Sequence, residues 1–324
     1  MKSAIVGTNE HAIFKSDSVP SVGVSSCLLG QKVRYDAGHK KNAFITEDLN
    51  KILELVPLCP EVAIGMGVPR QPIRLIKTEK GVRAQGARDP LLDVTDDLKG
   101  YARRIAPLVG TFSGYIFKKG SPSCGAYRVK VYNDKGIPCH TGEGVFTETV
   151  TRHYPNLPIE EEGRMNNPQL RGSFIKRIFI YHDWQSRIDK GLTIQLFQEF
   201  HRIHKFTLLA HDQKHYRDLG KMVAGCNQAD LKAVSDDYIE KFMAALKNTP
   251  TPHQHINVLM RIIGFLKRQI NPRDKVELLR AMQHYRDGKV SCEVPLTLIG
   301  HHLNNNPNAY LSTQHYLNHA MPLR

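Results

Sequence analysis

Apolar and polar residues alternate along the first half of the chain in runs that switch between strand-like and helix-like lengths. Four short apolar runs have the length and composition of strands: residues 21–25, 55–58, 114–117 and 128–132. Residues 46–55 and 94–108 lie between them and have helical patterns, with Thr46 and Thr95 as the predicted N-caps. Strands that alternate with helices predict an α/β sheet.

The second half of the chain has the periodicity of amphipathic helices. The segment QLFQEFHRIHKFTLLAH places four large apolar residues on one stripe: Leu196, Phe200, Ile203 and Phe206. Before this half, residues 152–168 are rich in Pro, Asn and Glu and lack periodicity, which predicts a linker. We therefore expect an α/β N-terminal domain at residues 1–165 and a mainly α-helical C-terminal domain at residues 166–324.

Composition excludes several classes of protein to which the chain could belong. A chain of 324 residues is long enough for two domains, and it has no apolar run of the length of a signal peptide core or a membrane span. Its six cysteines are too few for a disulfide scaffold, so we expect a cytoplasmic protein that makes no membrane contact. Neither a phosphate-binding GxxxxGK[ST] loop nor a GxGxxG turn is present, which disfavours nucleotide hydrolysis and dinucleotide redox chemistry.

Positive charge is the strongest global feature. The formal net charge is +14, and from Arg171 onward 22 Lys and Arg stand against 13 Asp and Glu. A balance of this size is typical of proteins with a polyanionic partner, most simply a nucleic acid. A basic solvated surface without a specific partner is the alternative, because net charge does not show whether the basic residues share a face.

Three cysteines follow three of the predicted strands. Cys27, Cys59 and Cys124 each come just after an apolar run and beside Gly or Pro. Since ligand sites in α/β sheets lie at the carboxyl ends of the strands, these thiols are predicted to converge at one edge. Any one of them alone fits a small buried apolar residue. Together they fit a site for zinc or for three irons of a cubane cluster, and the absence of CxxC spacing leaves the metal open.

Several motifs add a family resemblance. The segments VGVSSCLLGQKVRYDAGHKKN, VPLCPEVAIGMGVPRQPIRL and KKGSPSCG resemble the thiouracil desulfidase family (TudS type). The segments HKFTLLAH, NVLMRIIGFLK, YRDGKV, PLTLIGHHL and YLSTQHYL look like the helical domain that is fused to it in tRNA 4-thiouridine desulfidases (RudS type). The resemblance spans roughly residues 20–320.

The resemblance implies a cofactor and a set of site residues. It implies a 4Fe-4S cluster held by the three cysteines, with the fourth iron open, and Glu61 and Ser121 as catalytic residues. Asp36 is a weaker catalytic candidate, since relatives usually have YDG where this chain has Ala37 before the glycine. The alternative for Asp36 is a turn residue that binds its own backbone. Cys139 is not carried over as a ligand.

The expected reaction is the hydrolytic conversion of 4-thiouridine in tRNA to uridine with release of hydrosulfide. Glu61 is expected to act on the attacking water or on the ring nitrogen proton, and Ser121 to bind the base or pass a proton. The basic helical domain is expected to bind tRNA through phosphates. Two alternatives stay open: a desulfidase of free thiouracil or thionucleosides, and a non-enzymatic nucleic-acid-binding protein with a structural metal site.

Overall fold

The computed structural model of the protein describes residues 19–266 and 269–317. They form two compact units, a first unit that ends at Gln185 and a helical unit that begins at Ser186. The first unit is built on two four-stranded sheets. Its strands are, in chain order, β1 (Ser21–Ser25), β2 (Glu54–Leu58), β3 (Ile73–Thr78), β4 (Gly81–Gly86), β5 (Gly114–Phe117), β6 (Val129–Tyr132), β7 (Pro138–Gly142) and β8 (Ile159–Glu161). An α/β unit followed by a mainly helical one confirms the predicted fold class.

The first sheet is entirely parallel and has the strand order β2-β1-β5-β8. Val22, Val24 and Ile116 have no exposed surface, as expected for a parallel sheet covered on both faces. Because β1 lies between β2 and β5, the carboxyl ends of these three strands are neighbours at one edge. The three strands predicted from apolar runs at residues 21–25, 55–58 and 114–117 are confirmed.

The second sheet has the order β4-β3-β6-β7 and mixes both directions. Strands β3 and β4 form an antiparallel hairpin, β6 runs parallel to β3, and β7 returns antiparallel to β6. The strand predicted at residues 128–132 is therefore real but belongs to this second sheet. The linker interpretation of residues 152–168 is wrong for its centre, because β8 pairs with β5 and completes the first sheet.

Five helices accompany the sheets: α1 (Pro60–Ala63), α2 (Thr95–Arg104), α3 (Ala106–Gly110), α4 (Val145–His153) and α5 (Pro168–Asp189). The helix predicted at residues 46–55 is wrong. A short π-helical turn and a 3-10 turn precede β2, since the buried Ile45, Leu49 and Leu53 repeat every four residues without a full helix around them. Thr95 is not an N-cap but the first residue of α2, and its hydroxyl accepts the N–H of Ala84.

The core behind the first sheet is aromatic. The rings of Tyr115 and Phe117 stack with centroids 4.0 Å apart, and Phe146 from α4 meets both rings edge-on. Gly23 in the middle of β1 makes this stack possible, because a Cβ there would lie 2.5 Å from the Tyr115 ring. The core therefore requires a glycine in the central strand.

The helical unit contains six further helices: α6 (Ile194–His211), α7 (Gln213–Gly225), α8 (Leu231–Ala245), α9 (Pro252–Leu266), α10 (Pro272–Arg286) and α11 (Glu293–Asn305). Thr193, Asp212 and Asn271 cap three of them by accepting an N–H of the first turn. Phe200 and Phe206 of the predicted stripe are buried. Within the described ranges, no helix is long and apolar enough to cross a membrane.

A candidate active site at the ends of three parallel strands

One cavity of about 400 Å³ is lined by Cys27, Cys59 and Cys124 together, and we call it the cysteine cavity. Cys59 follows β2 directly, Cys27 lies two residues beyond β1, and Cys124 lies in the loop after β5. The predicted convergence of the three thiols at one sheet edge is therefore confirmed. Cys139 lies in β7 of the second sheet, where its thiol donates to the carbonyl of Val131. It is not part of the cavity lining.

The loop that follows Cys27 is closed by two backbone hydrogen bonds. Cys27 sits in a 3-10 turn, Ser26–Leu29, and its carbonyl oxygen accepts the N–H of Lys40 at 2.8 Å. The next carbonyl, of Leu28, accepts the N–H of Asn42 at 2.9 Å. Residues 30–39 therefore form a closed loop, and part of this loop lines the cavity.

The loop that carries Cys124 is fixed by helix α4. Backbone N–H groups at the start of this helix donate to the carbonyls of Pro122 and Ser123. Gly125 follows the cysteine, and a Cβ there would lie 2.3 Å from a methyl of Val129. The glycine of the SPSCG motif is therefore a packing requirement of this loop.

Two carboxylates at the end of β8 hold the same loop from the other side. Glu161 accepts the N–H groups of Ala126 and Tyr127 at 2.9 and 3.0 Å, and burial raises the pKa of its carboxyl group. Glu162 accepts the N–H of Lys119 at 2.7 Å and pairs with the ammonium of Lys118. Sequence reasoning missed both residues, because they lie in the segment taken for a linker.

Glu61 stands at the start of α1, two residues after Cys59, and both of its carboxylate oxygens are hydrogen-bonded. One oxygen, Oε2, accepts from Arg70 Nη2 at 2.6 Å and from Arg70 Nε at 2.9 Å. The other, Oε1, accepts from the Ser123 hydroxyl at 2.5 Å. The Arg70 side chain is only 5% exposed, so this ion pair is shielded from water.

Ser121 is connected to Glu61 through Ser123. The two serine hydroxyl oxygens lie 3.0 Å apart, and the Ser121 oxygen also accepts the N–H of Cys124 at 3.1 Å. The predicted residues Glu61 and Ser121 are thus brought together, but by a serine that sequence reasoning passed over. The second serine of SPSC was the available signal for Ser123, while nothing in the sequence indicated Arg70.

Asp36 makes the contacts of a turn residue. Its carboxylate accepts the N–H of Gly38 at 3.0 Å and lies 3.5 Å from the Arg34 guanidinium, and both interactions lower its pKa, the Gly38 bond more. Its side chain is 47% exposed and does not line the cysteine cavity. Ala37 next to it has a φ of 57°, a left-handed conformation that costs about 1–2 kcal/mol in a residue with a Cβ.

The thiols are suited to bind a soft metal centre. Burial raises the pKa of the Cys27 thiol to about 11 and also raises the pKa of Cys59 and Cys124, so without a bound cation they are neutral. No three His, Cys, Asp or Glu side chains in the described part of the chain are arranged to hold one metal ion. An iron-sulfur cluster does not require its ligands to converge on one ion, because each cysteine binds a separate iron.

A buried hydroxyl behind the cavity also fits such a cluster. The Tyr115 hydroxyl is buried and has no hydrogen-bond partner among the described residues. Burial raises its pKa well above the usual value. A cluster would add sulfur acceptors to this apolar surrounding. The residues present therefore fit a multi-iron cluster better than a single ion.

Two family models match successive parts of the chain. Residues 22–162 match the family model of 2-thiouracil desulfurase. The chain belongs to the 2-thiouracil desulfurase family. Residues 205–320 match a second model, DUF1722, a family of unknown function. The resemblance drawn from the motifs is thereby confirmed, and the family match supports a desulfidase activity for the first unit.

Two curated relatives cover parts of this desulfurase-family chain. The uncharacterized protein YbgA of Escherichia coli (strain K12) is 31% identical over 153 residues, which are 47% of this chain and 90% of the relative. The uncharacterized protein YbbK of Bacillus subtilis (strain 168) is 33% identical over 117 residues, 32% of this chain and 72% of the relative. A solved structure of the [4Fe-4S]-dependent thiouracil desulfidase TudS shares 30% identity, with 47% of this chain and 95% of that chain covered and a TM-score of 0.36.

Proposed function

We propose that the protein is an iron-sulfur-dependent desulfidase that converts 4-thiouridine in tRNA to uridine and releases hydrosulfide. One observation carries this proposal: a hydrogen-bonded chain of Glu61, Ser123 and Ser121 lies in the same cavity as three cysteines, two of which are buried. A purely structural metal site has no use for an ion-paired carboxylate and two linked hydroxyls beside its ligands. The family match supports the same chemistry.

Cys27, Cys59 and Cys124 would hold a 4Fe-4S cluster, which leaves one iron without a protein ligand. When bound, the cluster supplies a soft Lewis acid that polarises a thiocarbonyl sulfur. The cavity supplies the surroundings for this chemistry, because Cys27 and Cys124 are buried, Cys59 is partly buried, and the proton-transfer groups line the same cavity.

The reaction needs one water molecule and no electrons. The water oxygen bonds to C4 of the thiolated base, the bond between C4 and sulfur breaks, and C4 becomes a carbonyl carbon. Of the two water protons, one leaves with the sulfur as hydrosulfide and the other passes to solvent. Glu61 is the candidate base for the attacking water, since a carboxylate with three accepted hydrogen bonds still has a lone pair free.

Arg70 and the two serines complete this machinery. The Arg70 guanidinium holds the Glu61 carboxylate in one orientation by binding a single oxygen twice. The other oxygen is then aligned with Ser123, through which a proton can move between Glu61 and Ser121. Ser121 lines the cavity and is available to hydrogen-bond the base.

The positive charge of the second half of the chain supports tRNA as the substrate. The 22 Lys and Arg against 13 Asp and Glu from Arg171 onward favour binding of a polyanion. A base inside tRNA must be turned out of its stack to reach a cavity of this kind. The alternative substrate is a free thiouracil or thionucleoside, which is favoured by the location of all candidate catalytic residues in the first unit.

Anaerobic purification followed by iron and sulfide analysis tests the cofactor. We expect about four irons and four sulfides per chain, as a cubane cluster requires. The purified protein is then incubated with tRNA that contains 4-thiouridine, without a reductant, and nucleosides are quantified after digestion. Conversion to uridine supports the proposal. Stoichiometric zinc without iron, or a loaded protein that leaves tRNA and free thiouracil unchanged, would refute it.

A further inference from the structure

The charged residues that line the cysteine cavity are mostly cations. They are Arg34, Lys40, Arg70, Lys118 and Lys119, against the single carboxylate of Glu61. A thiouracil base is neutral, so its binding does not call for this excess. The cations therefore need a further explanation.

Two of the five cations are already neutralised. Arg70 pairs with Glu61 at 2.6 Å, and Lys118 pairs with Glu162. Arg34 has one long contact, 3.5 Å, to the exposed Asp36. Within the described part of the chain, the ammonium groups of Lys40 and Lys119 have no carboxylate within ion-pair distance. Both lysines are exposed.

Lys40 and Lys119 are also the two exposed residues among the five cations of the lining, whereas Arg34, Arg70 and Lys118 are partly buried. They line the cavity where it opens to solvent, which is the position for a charged part of a ligand that stays outside.

An exposed aromatic ring lines the same cavity as these lysines, and its backbone is held by a hydrogen bond. Tyr35 lines the cavity and is 42% exposed, and the Arg34 guanidinium lies 5.3 Å from its ring centre. Its carbonyl accepts the N–H of Arg70 at 2.9 Å, while Arg70 Nη2 also donates to the carbonyl of Val33 at 3.0 Å. The residue that orients Glu61 therefore also anchors the segment with the exposed ring.

We propose that Tyr35, Lys40 and Lys119 form a nucleotide rim, a binding site for a phosphate-bearing pyrimidine nucleotide in a single RNA strand. Stacking on an aromatic ring and cationic contacts to the backbone are how proteins hold unpaired RNA. The base enters the cysteine cavity while the flanking phosphates stay at the lysines. The inference rests on the proposed function, and it assigns part of the RNA recognition to the first unit itself.

The nucleotide rim is tested with the loaded full-length protein on four substrates: 4-thiouracil, 4-thiouridine, its 5′-monophosphate, and a trinucleotide with 4-thiouridine in the centre. We expect kcat/KM to rise by about tenfold or more from nucleoside to trinucleotide, since each well-placed charge contact contributes about 1.4 kcal/mol, a factor of ten. A rise already complete at the monophosphate would indicate a mononucleotide as ligand and overturn the RNA-strand assignment.

Variants assign the effect to the rim. Lys40→Gln and Lys119→Gln should each reduce the preference for trinucleotide over nucleoside by about tenfold, and Tyr35→Ala should weaken binding of both. The matched control is Lys51→Gln, because Lys51 is an exposed lysine of the same unit that pairs with Asp48 and does not line the cavity. This control should retain the wild-type preference.

A binding measurement separates the rim from the activity. Affinity for an unreactive uridine trinucleotide is measured against salt, where the slope decreases by about 0.7 for each phosphate that a variant no longer neutralises. We expect the slope to fall in Lys40→Gln and Lys119→Gln and not in Lys51→Gln. Equal slopes in the wild type and all three variants would overturn the nucleotide rim even if desulfuration is observed. A loaded protein that desulfurates nothing while the slopes differ would refute the proposed function and leave the rim in place.

Discussion

Arg70 donates two hydrogen bonds to the same carboxylate oxygen of Glu61, at 2.6 and 2.9 Å, and leaves the second oxygen to Ser123. A guanidinium more often spreads its two bonds over both carboxylate oxygens. The one-sided arrangement found here turns Glu61 towards the serines and the cysteine cavity. Its consequences for activity can be measured separately from its consequences for stability.

Replacement of Arg70 should reduce turnover without loss of the cofactor. In Arg70→Ala the carboxylate loses two charge-assisted bonds, and we expect kcat to fall about 10²-fold and stability to fall by about 3 kcal/mol. Arg70→Lys should restore part of kcat, because it returns the charge without the fork geometry. The control is Arg83→Ala, which breaks the ion pairs that Arg83 of β4 makes with Asp93 and Asp96. A similar loss of kcat in that control would contradict a positioning role for Arg70.

Glu61→Gln tests the proposed base directly. The amide keeps the shape of the side chain but cannot accept a proton, so kcat should fall by about 10²–10⁴-fold while iron and sulfide contents stay at the wild-type level. Asp36→Asn should cost less than about tenfold, since Asp36 contacts only its own turn and Arg34. Near-wild-type turnover in a cluster-loaded Glu61→Gln protein would move the base to Asp36 or Ser121.

Each of Cys27, Cys59 and Cys124 should be required for the cluster. Replacement of any one with Ala should remove most of the iron, the sulfide and the brown colour of the anaerobic protein, because a cubane held by two cysteines is poorly retained. Cys139→Ala is the control, since that thiol lies outside the cysteine cavity. Loss of iron in the control with retention in one of the three would show that the ligand set is wrong.

The two serines should act as one unit. Ser123 is fully buried and donates to Glu61, and Ser121 lies 3.0 Å from it, so either Ala variant interrupts the same chain. A lost hydrogen bond to a charged group corresponds to about 10–100-fold in kcat. The double variant Ser121→Ala/Ser123→Ala should then cost little more than either single change. Multiplicative losses would mean that the serines act independently.

Removal of the helical unit should abolish action on tRNA and spare the free nucleoside. The truncation belongs after residue 189, where α5 ends, rather than at the predicted domain boundary after residue 165. Gln185 in α5 donates to the carbonyls of Gly110 and Phe112, and Gly114 packs closely on Ile178. Full-length protein and residues 1–189 are compared on tRNA and on 4-thiouridine after equal cluster loading. Equal activity of both proteins on tRNA would defeat the assignment of tRNA binding to the helical unit.

The salt dependence of tRNA binding by the full-length protein completes this comparison. The logarithm of the affinity should fall with the logarithm of the salt concentration by about 0.7 to 0.9 per neutralised phosphate.

The parallel sheet and the meeting of the cysteines were predictable because they depend on local patterns. Apolar runs end just before Cys27 and Cys59, and adjacent parallel strands carry their ends to one edge by geometry alone. The β3–β4 hairpin was not predictable in the same way, since RLIKTEKGVRAQG alternates weakly and half of it is charged or polar. Nor were the partners of Glu61, because the meeting of Arg70 and Ser123 at one carboxylate is decided by tertiary packing.

Glu161 and Glu162 have a consequence for how the protein is made. The loop of Cys124 is tied to Glu161 through Ala126, 35 residues earlier in the chain, and to Glu162 through Lys119, 43 residues earlier. During synthesis all three cysteines leave the ribosome before either carboxylate does. The cavity is therefore assembled only after β8 has emerged and paired with β5, and a cofactor delivered sooner meets three loosely tethered thiols. An iron donor would therefore meet the complete cysteine cavity only after Glu161 and Glu162 have been synthesised.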